Sequence, residues 1–367
     1  MLTSGKPNLI RQFNRDLILD LIQTKGPVTK SELARLSGAS VPTVNKIVNQ
    51  MEAEGLVCST NEGNSAVGRK AVSYVINKDA GYFIVFFIQN GIITAGLADS
   101  HEEFVRMESI RPDMDSQDKV MAAIFNTADS FIAEIPAEKL RAIGFGVPGV
   151  IDPENRIIAI PTVPGWEGIS LASLMEEKYK VPVFLENDVK LMTVGLYKQK
   201  YSRQYRNMVF LYVSEGISAG IVINGHLYKG FHNFAGEYGF MLPDFENTSI
   251  HPEWTGDLEF KLRPIAEKMI HNPPLDETSY QLYLKILSGI ITNFTAVLNP
   301  DLIAICAPDL TEKDLEQIRQ LTLERIPDSC MPDLSLSREE DYGINGVVEL
   351  CMTEISTRIS LIDKKGL

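Results

Sequence analysis

The sequence is poor in the residues that staple or metallate small domains. Its 367 residues include four cysteines, Cys58, Cys306, Cys330 and Cys351, scattered with no Cys-x-x-Cys pair. That spacing argues against a disulfide framework and a cysteine-rich zinc cluster. It fits a reducing compartment, so a cytoplasmic location is expected. No apolar run approaches the length of a membrane span, and Met1-Leu-Thr-Ser-Gly-Lys6 has no signal-peptide pattern, so no membrane partner is expected. Positive charge is also scarce, with a formal net charge of −13. The shortage is uneven. Residues 1–78 hold 10 Lys and Arg against 6 Asp and Glu, whereas the remainder holds 25 against 42. A small basic head on an acidic body predicts that only the head meets a polyanion. The rest of the composition, 44% hydrophobic and 23% charged, is ordinary for soluble protein, and the length suffices for two or three cores.

The head has a helical texture. Leu9, Ile10, Phe13, Leu17, Ile18, Leu21 and Ile22 recur at three-four spacing, predicting an amphipathic helix that Gly26-Pro27 stops. Thr29, with Glu32 three residues on, predicts a capping box opening a short helix that buries Leu33 and Leu36 and ends at Ser37-Gly38. Ser40 caps a third helix, Val41 to about Glu54. Its Val44, Ile47, Val48 and Met51 face inward, and Thr43, Asn45, Lys46 and Asn49 face out. Two short helices about a glycine turn make a helix-turn-helix. A reading face of amides and hydroxyls with one lysine suits a major groove, where polar side chains reach base edges and lysine meets phosphate. Residues 56–60 and 70–76, with Val72, Tyr74 and Ile76 alternating, predict a hairpin wing tipped by Gly68-Arg69-Lys70. Ser40, Thr43, Asn45, Lys46, Arg69 and Lys70 are the expected contacts to double-stranded operator DNA. Winged helices also pack against proteins, and the pattern leaves that alternative open.

From Gly81 the chain reads as α/β. Strands are expected at 82–88, 92–98, 104–110 and 140–147, with Asn90-Gly91 as a hairpin turn and a helix over 116–134. A similar order recurs, with strands at 208–213, 217–223, 226–229 and 302–307, a turn at Asn224-Gly225, and helices at 258–269 and 279–298. The repetition predicts two similar lobes with a cleft between them. The run Val181-Pro-Val-Phe-Leu-Glu-Asn-Asp188 predicts a buried strand that delivers a carboxylate and an amide to the sheet rim, where open α/β folds place ligands.

Several segments now resemble one family. Gly144-Phe-Gly-Val-Pro-Gly-Val-Ile-Asp152, Pro161-Thr-Val-Pro-Gly-Trp166, Glu186-Asn187-Asp188, Ala235-Gly-Glu-Tyr-Gly239 and Tyr342-Gly-Ile-Asn-Gly346 are similar, in order, to the motifs of the ROK family of sugar kinases and transcriptional repressors. The winged helix in front resembles the repressor branch. The resemblance implies the actin-like, ribonuclease H-like ATPase fold behind a winged helix-turn-helix. It divides the chain into a head at 1–78, a first lobe at 79–187 with 350–367, and a second lobe at 188–349. It also implies that a sugar lies in the cleft, touched by Asn187, Asp188, Glu237, Thr162 and Gly149, with Asp188 at the position that takes the hydroxyl proton in the kinases.

Against that pattern three parts of a nucleotide site are missing. Phe87 stands at the Asp of the first phosphate cradle, with Gln89-Asn90-Gly91 for Gly-Gly-Thr. Ser214-Glu215-Gly216 replaces Gly-Thr-Gly, and Cys306-Ala307-Pro308-Asp309 replaces the adenosine-side glycines. Phe cannot hold Mg²⁺, and a carboxylate repels a triphosphate. The family's zinc motif is also absent: Phe240 replaces its His, residues 241–305 contain no cysteine, and His251 alone does not make a site. His226 and His232 read as hairpin and pocket-edge residues. The expectation is a regulator without ATP, metal or cofactor, and not an enzyme. It would respond to a small sugar-derived effector and act as a homodimer or dimer of dimers on palindromic DNA. A kinase with an accessory head, or a regulator governed by a protein partner, are the alternatives.

Overall fold

A computed structural model describes residues 6–60, 72–151, 157–159, 166, 170–214, 216–242, 256–271, 275–307, 310–338 and 341–362. The head comprises α1 (Lys6–Lys25), β1 (Val28–Thr29), α2 (Lys30–Ser37), α3 (Val41–Ala53), β2 (Val57–Thr60) and β3 (Ser73–Ile76), with strand order β1-β3-β2. The capping box at Thr29 and Glu32 is present, and Ser40 caps α3. Val44, Ile47, Val48 and Met51 close onto Ile18, Ile22, Leu33, Tyr74 and Ile76 as one core. One expected core position, Leu36, is corrected, and so is the start of the second wing strand. Leu36 is 41% exposed, because the inward stripe of α2 runs through Leu33 and Ala34 and leaves Leu36 on its flank. Val72 is 50% exposed, because the strand begins only at Ser73. Residues 61–71, with Arg69 and Lys70, lie outside the described residues.

The body holds two sheets of the same topology. The first contains β4 (Tyr82–Gln89), β5 (Ile92–Asp99), β6 (Phe104–Ile110), β7 (Leu140–Val147) and, beyond the short pair β8 (Val150–Ile151) and β9 (Ile157–Ala159), β10 (Val183–Asn187). Its order is β10-β7-β4-β5-β6. The second contains β11 (Met208–Val213), β12 (Ile217–Ile223), β13 (His226–Leu227), β14 (Leu302–Cys306) and β15 (Asp333–Leu336), ordered β13-β12-β11-β14-β15. Each is an antiparallel meander whose first strand also pairs in parallel with the fourth, and the fourth with the fifth. The hairpin turns at Asn90-Gly91 and Asn224-Gly225 have positive φ at both residues, as a primed turn requires.

Helices complete five layers. α4 (Gln117–Ile132) and α5 (Leu171–Tyr179) cover the outer face of the first sheet. α6 (Asp188–Leu196) and α10 (Tyr342–Ile362) lie between the sheets. α7 (Asp257–His271), α8 (Glu277–Leu298) and α9 (Glu312–Leu323) cover the second sheet. Strand alternation sorts the cores: on β4, Phe83, Val85 and Phe87 face the central layer while Ile84, Phe86 and Ile88 face outward. α8 corrects a further expectation, since by length and composition it could cross a membrane. Polar residues interrupt its sequence, and Tyr283, Leu284, Leu287, Ile290, Ile291 and Phe294 are buried in the outer core of the second sheet. The expected division at 187/188 falls where β10 becomes α6. The one at 349/350 falls within α10.

Candidate functional site

β10 is buried along its whole length and hands the chain directly to α6. The handover places Glu186, Asn187 and Asp188 at the sheet rim. Asn187 is the N-cap of α6, its Oδ1 accepting from the Lys190 backbone N–H at 3.0 Å. Its Nδ2 donates to the Gly149 carbonyl and to Asp188 Oδ1, each at 3.0 Å. Asp188 Oδ1 also accepts from the Val189 N–H at 2.9 Å. Asp188 is 8% exposed, and burial pushes its carboxyl up to about 7. The Val189 N–H opposes that rise, and the nearby Glu237 carboxylate adds to it.

Glu237 approaches from the second lobe, in the loop between β13 and the turn at Tyr238–Phe240. Burial raises its carboxyl too, opposed by Lys190. Lys190 is 2% exposed and spans the gap, with Nζ 2.7 Å from the Asn233 carbonyl and 3.3 Å from Glu237 Oε1. Asn233 in turn donates from Nδ2 to the Ile151 carbonyl at 3.0 Å. Glu186, 2% exposed, pairs with Lys229 at 2.6 Å. The structure therefore brings Gly149, Asn187, Asp188 and Glu237 into one cluster, while Thr162 lies outside the described residues. Lys190, Asn233 and Lys229 belong to the cluster and were not expected. One signal could have found Lys190: a lone cation between Val189 and Leu191, two residues beyond the motif Asp. Two carboxylates of raised pKa, an amide and two ammonium groups at a strand terminus can bind the hydroxyls of a polyol by donation and acceptance.

The residues that stand at the expected phosphate-cradle positions are packed against their neighbours. The Phe87 ring packs where side chains on Gly146 and Gly343 would go; a Cβ on these glycines would come within 2.5 and 2.2 Å of it. Gln89 Nε2 donates across the lobes to the Tyr212 hydroxyl at 3.1 Å and approaches Met192 Sδ at 3.4 Å. The Glu259 carboxylate lies 3.4 Å from where a Cβ on Gly216 would be, and it is paired with Arg263. Glu215, Pro308 and Asp309 lie outside the described residues. His226 and His232 are exposed, the latter edge-on to Phe231. The Phe240 ring tilts against Phe234 at 5.2 Å.

On the head, α3 turns Asn45, Lys46 and Asn49 outward, with Thr43 half-buried. The Ser40 and Thr43 hydroxyls share a hydrogen bond of 2.8 Å. Lys30, at the start of α2, reaches Asn49 Oδ1 at 2.5 Å and stacks over Tyr74. It adds a cation to this face that spacing alone did not single out.

Residues 91–256 match the model of the ROK family, and residues 15–57 match that of winged helix-turn-helix DNA-binding domains. Over 241 residues the chain is 32% identical to the xylose repressor of Bacillus subtilis, covering 64% of this chain and 62% of the relative. Over 233 residues it is 28% identical to the DNA-binding transcriptional repressor Mlc of Escherichia coli, covering 61% and 56%. The matches thus span less than two thirds of these relatives. Among solved structures, a ROK family transcriptional regulator described as a homologue of the E. coli protein superposes with a TM-score of 0.77 at 20% identity, over 96% of this chain and 98% of the other. A ROK hexokinase from Thermus thermophilus gives 0.64 at 18% identity, over 75% and 99%. At these identities the likeness is one of fold.

Proposed function

We propose that this chain, which carries a ROK family domain behind a winged helix-turn-helix, is a sugar-responsive repressor of carbohydrate-utilisation genes. The observation that carries this reading is the asymmetry of the cleft. Its hydroxyl-binding end keeps Asn187, Asp188 and Glu237 in one hydrogen-bonded cluster. At the cradle positions of the kinases the cleft has instead the Phe87 ring, packed against Gly146 and Gly343, and the Gln89–Tyr212 bridge. Phosphoryl transfer is mostly positioning and charge neutralisation. With Phe87 at the position of the kinases' phosphate-cradle aspartate, Asp188 has no metal-bound phosphoryl group to direct a nucleophile towards. Asp188 then serves as an acceptor that recognises a hydroxyl and leaves it unreacted, and the protein is a sensor, not an enzyme.

The sensor's output is the α3 face. Ser40, Thr43, Asn45 and Lys46 read operator DNA from the major groove, with Arg69 and Lys70 on the adjacent backbone or minor groove. The lobes take the boundaries 79–187 with 350–367 and 188–349, and two copies of the chain present two heads to a palindrome. Sugar in the cleft changes the relation between lobes and so the spacing of the heads. A protein that reads DNA shares its compartment, which makes the location cytoplasmic. The test is a thermal-shift and DNA-binding screen against D-xylose, D-glucose, N-acetylglucosamine and their phosphates. One of them should raise Tm and weaken operator binding; operator affinity that is the same with every sugar would sink the reading.

One observation favours a second reading. A carboxyl held near 7 is well matched to general-base work at neutral pH. A sugar kinase with an accessory head predicts ATP consumption that depends on a hexose or pentose, measured by coupled assay, and lost in Asp188→Asn.

A further inference from the structure

α6 runs from the candidate site to the junction of body and head. Asp188 and Lys190 sit in its first turn, and the helix passes without interruption into the wider turn Tyr197–Tyr201. Lys198 lies ten residues beyond Asp188, about 15 Å along the axis. Its ammonium is 2.8 Å from Glu102 Oε1, in the β5–β6 turn, and pairs also with Glu349 of α10. Glu102 holds a left-handed φ of 64°, which a non-glycine residue adopts only under local constraint. The same Glu102 Oε1 accepts a hydrogen bond from Gln23 of α1 in the head. Asp20, one turn earlier on α1, lies in the field of Lys198 and Glu349. One cation thus sits among carboxylates from the head, the β5–β6 turn and α10. Burial raises the carboxyls of both Asp20 and Glu102. Lys198 opposes the rise in each, and Glu349 adds to it.

α6 is also geared to α10. A Cβ on Gly195 would come within 2.1 Å of the Tyr342 carbonyl oxygen, and one on Gly346 within 2.1 Å of the Leu191 carbonyl oxygen. The two backbones touch where they cross, so neither helix can slide without the other. All residues of α6 except Val194 are buried.

We propose that Lys198 is the positioning residue through which the cleft sets the orientation of the DNA-reading head, an inference that rests on the effector reading of the cleft given above. An effector that engages Asp188 or displaces Lys190 from Glu237 shifts the start of α6. The rod carries that shift to Lys198, whose withdrawal leaves the carboxylates of Glu102, Glu349 and Asp20 mutually repelling. α1 then loses its seat on the body. The coupling is mechanical and electrostatic, and both ends of the rod are named.

The test uses the full chain and an exchange cycle that needs no ligand. Amide hydrogen exchange is followed over α1 in the wild type, Lys198→Met, Lys198→Arg, Asp188→Asn and the Asp188→Asn/Lys198→Met double variant, with near-ultraviolet circular dichroism checking that each is folded. Lys198→Met should speed exchange in α1 by about tenfold, within the usual range of coupling between sites. Lys198→Arg, which preserves the ion pairs, should stay near the wild type. Asp188→Asn should alter α1 exchange alone but add nothing in the Lys198→Met background. Exchange in α1 that ignores Lys198→Met, or ignores Asp188→Asn, or responds to Asp188→Asn equally in both backgrounds, overturns the proposal. Calorimetric titration with D-xylose, D-glucose and N-acetylglucosamine is scored separately. Failure of all three to bind the wild type counts against the effector reading, while the exchange cycle still decides the role of Lys198.

Discussion

Asp188 carries two measurable consequences. Burial, with Glu237 nearby, lifts its carboxyl to about 7, so the folded protein holds a proton that the unfolded chain releases in the ordinary carboxylate range. The stability tied to that proton is complete below the unfolded pKa and is lost as pH rises through about 4 to about 7, at ~1.4 kcal/mol per unit. Asp188→Asn should flatten urea-denaturation stability across that window and leave the variant the more stable protein above pH about 7. An unchanged slope in the variant would show that the group is not titrating there. Effector affinity should rise as pH passes through about 7, where the folded protein's Asp188 ionises, because an ionised carboxylate accepts a hydroxyl hydrogen. On the reading helix, Asn45→Ala should cost about 1–3 kcal/mol of discrimination at one base position if it makes a bidentate contact. Lys46→Ala should weaken binding to all sequences alike and lower the salt slope by about 1. Fluorescence anisotropy on a selected operator and its point variants separates the two, and wild-type affinity in both variants would remove α3 as the reading face.

At the scale of elements, the caps and crossings matter more than single contacts. Ser40 caps α3 and also holds Thr43, so Ser40→Ala should lower the stability of the head by about 1 kcal/mol. The body's transition should not move, which calorimetry of the full chain can resolve if the head melts separately. Gly346→Ala drives a methyl into the Leu191 carbonyl, a contact that a flexible side chain cannot relieve. Overpacking there should cost about 1–3 kcal/mol or more, visible as a lower Tm for the body. A Tm equal to that of the wild type would mean that α6 and α10 are not in backbone contact. Much of this level could be read from spacing. The caps at Thr29 and Ser40, the inward residues of α3 and the turns at Asn90 and Asn224 follow from local rules. Leu36 did not follow, because a residue on the flank of a stripe is buried only if a neighbour covers that flank.

For the whole molecule, the body is a repeated topology with helices sandwiched between two sheets, and the cluster of Asn187, Asp188 and Glu237 lies where the lobes meet. ATP with Mg²⁺ should leave Tm unchanged, whereas an effector sugar at 100 times its Kd should add about 2.7 kcal/mol of stability. A rise with ATP alone would reopen the kinase reading. The sequence by itself determined the meander strands of both lobes, the helices of the head and the segment ending in Asp188, because periodicity, capping and turn chemistry act over a few residues. Tertiary structure alone decided that Lys190 reaches Glu237 and that Phe87 fills the space between Gly146 and Gly343. It alone set Lys198 between Glu102 and Glu349. Those partners lie far apart in the chain, and only the packing of α6 and α10 between the two sheets fixes the distances at which their charges and volumes meet.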